Sequence, residues 1–410
     1  MVGPITFLTM KMDLRPGTAG IERRTFIRLL GAVGAGALVA PLLARGSTGV
    51  QLVRFPGKTD LILRTDRPPQ LETPLRYFVN DLTPNEAFYV RWHFEGIPTS
   101  VDLDAFRLQI SGHVEKPLSL SLADLRDQFD AVSLVAVNQC SGNSRSFFEP
   151  RVPGGQWLNG AMGNARWTGV RLRDLLARAR VKAGAVDVSF AGLDRAPLAA
   201  MPAFAKALGI DHARDGEVLV AYEMNGEELP MLNGFPLRLV VPGWYATYWV
   251  KALNEIKVLP DKFSGFWMDT AYRIPSAPDG NESPDALDKE TVPINRFSLR
   301  SLFVRPEPGE QLPRQTAFEI QGLAMDSGYG IQRVEVSTNG GASWEAANLD
   351  PELGKYSWRR WRFSWLPATV GKQRLSVRAF NRAGEKQPAS QWNRSGFMRN
   401  IVEETGVEVI

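Results

Sequence analysis

Short apolar runs and alternating apolar–polar segments, separated by polar loops, mark this chain as rich in strands. Phe106-Arg107-Leu108-Gln109-Ile110 shows the two-residue period of a half-buried strand. Ser121-Leu122-Ala123-Asp124 reads as a helix start capped by Ser121. Val132 to Val137 reads as a buried strand leading to a polar loop that begins at Asn138. Leu172 to Ala179 is predicted to be a short helix, and Phe204 to Leu208 the start of another turn. Pro236 to Pro242 is an apolar strand with proline at its end. Ser276 to Asn295 is polar, with a turn signal at Pro278-Asp279-Gly280, and a domain boundary is expected there, near residue 285.

The pattern then becomes all-β. Val334-Glu335-Val336-Ser337 faces Ser343-Trp344-Glu345 across Asn339-Gly340, a hairpin signal. In Trp361-Arg362-Phe363-Ser364-Trp365 the aromatic residues share one face, and Leu375, Val377 and Ala379 repeat the alternation. The expected fold is therefore α+β: a mixed α+β domain over residues 49–285, then an immunoglobulin-like β-sandwich over residues 286–410. Arg359, Arg360 and Arg362 form either an anion-binding patch or, the preferred reading, a solvated strand face.

Composition changes the picture little. The hydrophobic fraction of 44% is ordinary, and a formal charge of +4 gives no support to nucleic-acid binding. The N-terminus is more informative. Arg23-Arg24-Thr25-Phe26 followed by a Gly/Ala-rich apolar stretch has the form of a twin-arginine export signal within residues 1–48. Pro41 interrupts that stretch, which favours removal over membrane anchoring. Its Gly34-Ala35-Gly36 follows no strand, which argues against a dinucleotide loop. Removal leaves roughly 360 residues, room for two domains. This route carries folded proteins, often with a cofactor already inserted, so a periplasmic, cofactor-bearing protein is expected.

Cys140 is the single cysteine, so disulfides, zinc ribbons and c-type haem attachment within the chain are excluded. It is a buried structural thiol, a nucleophile, or the one thiolate ligand of a metal centre held mostly by other groups. Its neighbours Ser141-Gly142-Asn143-Ser144-Arg145 permit close backbone approach and place a cation beside the thiol. The three histidines, His93, His113 and His212, are scattered, which disfavours zinc or non-haem iron sites. Arginines converging near a thiolate would instead suit small oxyanions, because planar guanidinium groups bind them bidentately. Arg91, Arg145, Arg166, Arg238, Lys251 and Tyr272 stand out on that ground.

These residues carry a family resemblance. Phe88-Tyr89-Val90-Arg91-Trp92-His93, the Cys140–Arg145 loop, Trp157-Leu158-Asn159-Gly160-Ala161, Ala165 to Arg171, Gly234 to Arg238 and Trp249-Val250-Lys251 occur in an order that resembles the molybdopterin-dependent sulfite oxidases, specifically the bacterial sulfite dehydrogenases. The resemblance spans about Leu71 to Asn400. It implies one molybdopterin per molybdenum, with Cys140 as the protein thiolate on the metal. Arg91, Arg145, Trp157 and Tyr272 would form the substrate pocket. Tyr89, Arg91, His93, Asp194, Asn233, Arg238, Trp249, Val250 and Lys251 would hold the cofactor. Asn233 departs from the histidine usual in the animal enzymes, and a third pocket arginine of those enzymes has no assigned counterpart near the C-terminus.

The implied reaction is oxidation of sulfite to sulfate by oxygen-atom transfer, with electrons leaving one at a time. No haem is expected in this chain, so a c-type cytochrome would accept them, as a subunit or a docking partner. The C-terminal sandwich resembles the family's dimerisation domain, so a homodimer is also expected, with no nucleic acid and no membrane attachment after signal removal. Three alternatives compete. An exported molybdopterin-dependent sulfoxide reductase generally lacks the sandwich. A eukaryotic-type nitrate reductase would need carrier domains. A non-catalytic exported binding protein would leave the ordered Cys, Arg and Trp motifs without a purpose.

Overall fold

The computed structural model describes residues 44–45 and 50–410, so the expected export signal at Arg23-Arg24 lies outside the described residues. Strands Gln51–Arg54, Asp60–Thr65, Gln70–Glu72 and Val90–Arg91 pair in succession, all antiparallel, and carry Arg91 to the end of this sheet. A second sheet has the order Ala205–Gly209, Asp187–Gly192, Leu253–Leu259, Leu108–Gly112, Leu118–Leu120. The pairing of Leu253–Leu259 with Leu108–Gly112 is parallel. In the third sheet, Val132–Gln139 pairs with Met162–Arg171, which pairs with Leu219–Met224. Arg238–Val240 joins Leu219–Met224 on a branch, so this sheet carries both Cys140 and Arg238.

Helices are few and short, and the architecture is mostly sheet where the sequence predicted a mixed α+β domain. Leu122–Gln128 begins with a full capping box: Asp124 N–H donates to Ser121 Oγ at 3.0 Å, and Ser121 N–H donates to the Asp124 carboxylate at 2.8 Å. Leu172–Ala179 buries Leu172, Leu175, Leu176 and Ala179, the spacing of one helical face. The predicted turn at Phe204–Leu208 is instead strand Ala205–Gly209, paired with Asp187–Gly192. Its second residue, Lys206, is fully buried, and a lysine facing inward conceals the apolar alternation that signals a strand. Strand Met162–Arg171 gave no signal either, because Gly163, Asn164 and Gly169 interrupt its apolar run.

At the polar segment, Arg273–Pro275 and Thr291–Pro293 pair as an antiparallel ribbon, and Gly280 adopts φ +62° in the predicted turn. Beyond it lie two sheets. One has the order Arg300–Arg305, Phe318–Met325, Arg359–Trp365, Asn348–Leu349. The other is Gln311–Leu312, Glu403–Val409, Gly371–Asn381, Ile331–Ser337, Glu345–Ala346. The predicted hairpin forms, with Val336 opposite Glu345. Ile320, Trp361, Val334, Leu375 and Val377 from both sheets share one apolar core. Leu302, Leu323 and Trp358 join the larger core beneath the N-terminal sheets, so this half packs closely on the rest. Arg360 and Arg362 pair with Asp350, and Arg359 with Glu352, which accounts for the basic stretch as ion-paired strand residues.

Close packing allows no side chain at Gly322, which lies opposite Trp361. A Cβ there would sit 2.1 Å from the Trp361 indole and 2.3 Å from the Leu302 carbonyl oxygen. Gly322→Ala is expected to cost about 3 kcal/mol, read as a lower denaturant midpoint; an unchanged midpoint would show that the indole has room to move.

Candidate active site

Cys140 directly follows strand Val132–Gln139, whose last pair is Gln139 with Met162. Pairing then continues without regular strand geometry. Cys140 N–H donates to the Ala161 carbonyl at 2.9 Å, Ser144 N–H to Leu158 at 2.7 Å and Ser146 N–H to Trp157 at 3.1 Å. The cysteine loop is thereby fastened along residues 157–161. Cys140 itself is a buried free thiol at the edge of a cavity.

The structure brings eight of the predicted site residues to that cavity: Tyr89, Arg91, His93, Cys140, Asn233, Arg238, Lys251 and Tyr272. Arg238 donates from Nη1 to the Asn233 carbonyl at 2.9 Å and from Nη2 to Asn138 Oδ1 at 3.1 Å. Its guanidinium lies over Trp167 and Trp249 at 5.2 and 5.7 Å, and burial pushes its pKa down to about 10. Tyr89 donates to the same Asn138 oxygen at 2.7 Å. His93 Nε2 and the Tyr272 hydroxyl share a hydrogen bond of 2.7 Å, with the imidazole stacked on Phe204 at 3.7 Å. Burial, then the charges of Arg91, Lys251 and Lys206, hold His93 well below the usual imidazole range, so it is neutral near pH 7. Burial likewise raises the Tyr272 hydroxyl, so that bond joins two neutral groups.

The remaining predicted residues stand behind the cavity wall. Trp157 packs edge-on against Tyr89 at 6.4 Å, and Trp249 flanks Arg238. Val250 is buried, and its carbonyl accepts from Leu239 N–H. Asp194 lies close enough to Lys251 for each charge to stabilise the other. Arg145 is curled tightly against its own loop: a Cβ on Gly142 would lie 2.6 Å from its guanidinium carbon, and one on Gly154 2.7 Å from Nη1. It donates to the carbonyls of Gly155 at 3.2 Å and Ser395 at 3.1 Å, and lies over the Phe397 ring at 5.0 Å. Phe397 in turn stacks on Tyr272 with ring centroids 5.6 Å apart. Neither arginine of this C-terminal stretch reaches the pocket, because Arg394 is bound to Glu282 and Arg399 to Glu403. Backbone and an aromatic ring surround Arg145 there instead.

Sequence reasoning missed Lys58, Lys206, Asn138, Thr247 and Phe397. Lys58 Nζ donates to the Asn85 and Phe88 carbonyls at 2.7 and 3.1 Å and to Asn233 Oδ1. Lys206 Nζ donates to the Trp267 carbonyl at 2.7 Å and lies over the rings of Tyr248 and Tyr272. Burial pushes both lysines, and Lys251, down to about 7. Isolated lysines carry no signal in sequence, since most are exposed. Asn138 and Thr247 sit inside or beside motifs already noted, and their position was the available clue.

The wall fits a polyanionic, hydrogen-bonding cofactor. No carboxylate lines the cavity among the described residues. Arg91 Nη1, Arg238 Nε, Asn138 Nδ2, Ser141 Oγ and Thr247 Oγ1 are buried there without a protein partner. Orphaned donors of that kind are rare unless a ligand satisfies them. A phosphorylated pterin would supply both the acceptors and the missing negative charge.

Residues 94–267 match the oxidoreductase molybdopterin binding domain, and residues 291–408 the Mo-co oxidoreductase dimerisation domain. Sulfite oxidase of Gallus gallus is 33% identical over 84% of this chain and 76% of its own length. The chain belongs to the sulfite oxidase family. Mitochondrial sulfite oxidase of Homo sapiens is 34% identical over 85% of the chain, which spans 65% of that relative's length. The crystal structure of the sulfane dehydrogenase SoxCD from Paracoccus pantotrophus superposes with a TM-score of 0.71 over 84% of this chain and 85% of that one, at 24% identity, a likeness of fold. Membership in a molybdopterin family agrees with the charge and the orphaned donors of the cavity.

The buried lysines set a pH dependence. In the unfolded chain they stay protonated up to the ordinary value of 10.5, whereas in the fold they release protons from about 7. The unfolded state therefore binds more protons across that window, and stability rises with pH from about 7 toward 10. Cofactor-free protein should show this rise in denaturant unfolding, and cofactor loading should flatten it. Lys206→Met should raise stability at pH 7 by about 1–2 kcal/mol and shallow the slope; a steeper slope would contradict the assignment.

Proposed function

We propose that this chain oxidises sulfite to sulfate in the periplasm, after twin-arginine export, and passes the electrons singly to a c-type cytochrome. The observation that carries this reading is the buried thiol of Cys140 at a cationic cavity free of carboxylates, with Arg91, Arg145 and Tyr272 grouped around it. Cys140 would hold the molybdenum, while Arg91, Asn233, Arg238 and Lys251 would hold the pterin, with Lys58 bracing Asn233 from behind. When bound, the molybdopterin group supplies a centre that exchanges one oxygen atom and takes up two electrons.

The chain's own residues account for substrate choice. Arg91 provides a guanidinium donor at the cavity wall, and Arg145, held behind that wall by the Gly155 and Ser395 carbonyls, would add positive charge toward a small dianion in a partly dry pocket, where such interactions are stronger than in water. Tyr272 keeps its proton because it is buried, so its hydroxyl is available to donate to an anionic oxygen, and the neutral His93 orients it. Trp157 backs Tyr89, and Phe397 backs Tyr272 and Arg145. A cytochrome subunit and a docking cytochrome are both compatible with this reading. The dimerisation-type sandwich, whose two packed sheets suit an immunoglobulin-like arrangement, supports a homodimer.

Molybdenum-loaded protein should reduce cytochrome c rapidly when sulfite is added, followed optically; no reduction with sulfite, from protein shown to contain molybdenum, would sink the assignment. Arg145→Met should raise the sulfite KM roughly 10- to 100-fold, the worth of one charge-assisted contact, with molybdenum content unchanged. Cys140→Ser should retain pterin and lose most turnover, and an active serine variant would refute the thiolate role.

A further inference from the structure

Ser144, immediately before Arg145, holds a left-handed backbone conformation, φ 70° and ψ 20°, which costs a serine free energy unless its surroundings enforce it. The enforcing groups come from the C-terminal half. Arg300 opens strand Arg300–Arg305 and is 1% exposed. Its Nη2 donates to Ser144 Oγ at 2.7 Å and to Asn159 Oδ1 at 2.8 Å, and pairs with Glu403 at 3.3 Å. Ser144 Oγ donates to Asn159 Oδ1 at 2.5 Å, and Asn159 Nδ2 donates to Glu403 at 3.1 Å. Arg399 closes the group from the far side, 2.6 Å from Glu403. Burial opposes ionisation of Glu403, but Arg399 and Arg300 outweigh it and hold the carboxyl below the usual range.

This cluster touches both edges of the cysteine loop at once. Asn159 belongs to the segment onto which Cys140, Ser144 and Ser146 are fastened, and Ser144 sets the direction in which Arg145 leaves the backbone. We propose that Arg300, balanced by Glu403, is a positioning residue that locks the left-handed turn at Ser144 and thereby fixes where Arg145 lies behind the cavity wall, against the Gly155 and Ser395 carbonyls. The C-terminal half then contributes to anion binding without touching the anion. The inference rests on the reading of Arg145 as a substrate-binding group.

Amide hydrogen exchange on the full chain tests it, together with sulfite kinetics of the molybdenum-loaded enzyme. In Arg300→Met, exchange at residues 142–147 should rise about tenfold, the scale of one lost charge-assisted bond, while strands Ile331–Ser337 and Gly371–Asn381 keep their protection. The sulfite KM should rise by a similar factor with kcat changed far less, and Arg300→Lys should recover part of both effects. Ser144→Ala, which removes the loop's side of the contact and leaves the Arg300–Glu403 pair intact, should give the same signature if Arg300→Met does not fold. Wild-type exchange in the loop, or loss of protection across the whole C-terminal half, would overturn the proposal. Exchange is read without substrate, so a chain inactive toward sulfite would count against the proposed substrate and leave the loop signature standing.

Discussion

Unbalanced buried positive charge governs this structure. Arg91, Arg238 and Lys251 line one cavity, Lys58 and Lys206 stand just behind it, and the nearby carboxylate of Asp194 offsets only part of their charge. Burying a cation without a partner is costly, and the fold limits that cost with neutral groups. Backbone carbonyls accept from Lys58, Lys206 and Arg238, and aromatic faces cover Arg238, Lys206 and Lys251, the last over Trp92 at 4.7 Å. Those contacts leave several donors unused. A scaffold that tolerates such a deficit is organised around an anion that arrives later, and the family's phosphorylated cofactor meets that need.

The lone thiol takes its meaning from that field. A buried cysteine in an apolar core is inert, whereas Cys140 lies at the edge of a cavity lined by Arg91, Arg238 and Lys251. Its loop is irregular apart from one 3-10 turn at Arg145–Phe147, yet it is held by backbone bonds to residues 157–161 and by side chains on Ser144 and Asn159. Glycines at 142, 154 and 396 let the Arg145 guanidinium lie against the backbone, since a Cβ at any of the three would strike it. Rigidity in an irregular loop therefore comes from crowding and hydrogen bonding, both supplied by chain segments far apart in sequence.

The two halves of the chain are interdependent at this point. The third sheet presents Cys140 and Arg238, while the C-terminal half supplies Arg300, Glu403, the Ser395 carbonyl and the Phe397 ring around the same loop. Met398 N–H also donates to the Ser141 carbonyl at 3.2 Å. A C-terminal β unit that matches the family's dimerisation domain thus also forms part of the wall behind the cysteine loop. Damage to its packing would be felt in the geometry of the cysteine loop.

The sequence alone determined the strand-rich character, the capped helix at Ser121, the hairpin at Asn339-Gly340 and the motif set around Cys140, because each is written in local periodicity or in contiguous residues. Eight of the predicted site residues line one cavity, six of them from the ordered motifs, while Asn233 and Tyr272 lie outside those motifs. Tertiary structure alone decided the rest. Lys206 hid its own strand by facing inward, Phe397 stacks on Tyr272 and lies under Arg145, and Arg300 reaches Ser144 across 156 positions. Whether a buried charge meets a carbonyl, a ring or a carboxylate depends on which distant segments pack beside it, and no local pattern of residues encodes that choice.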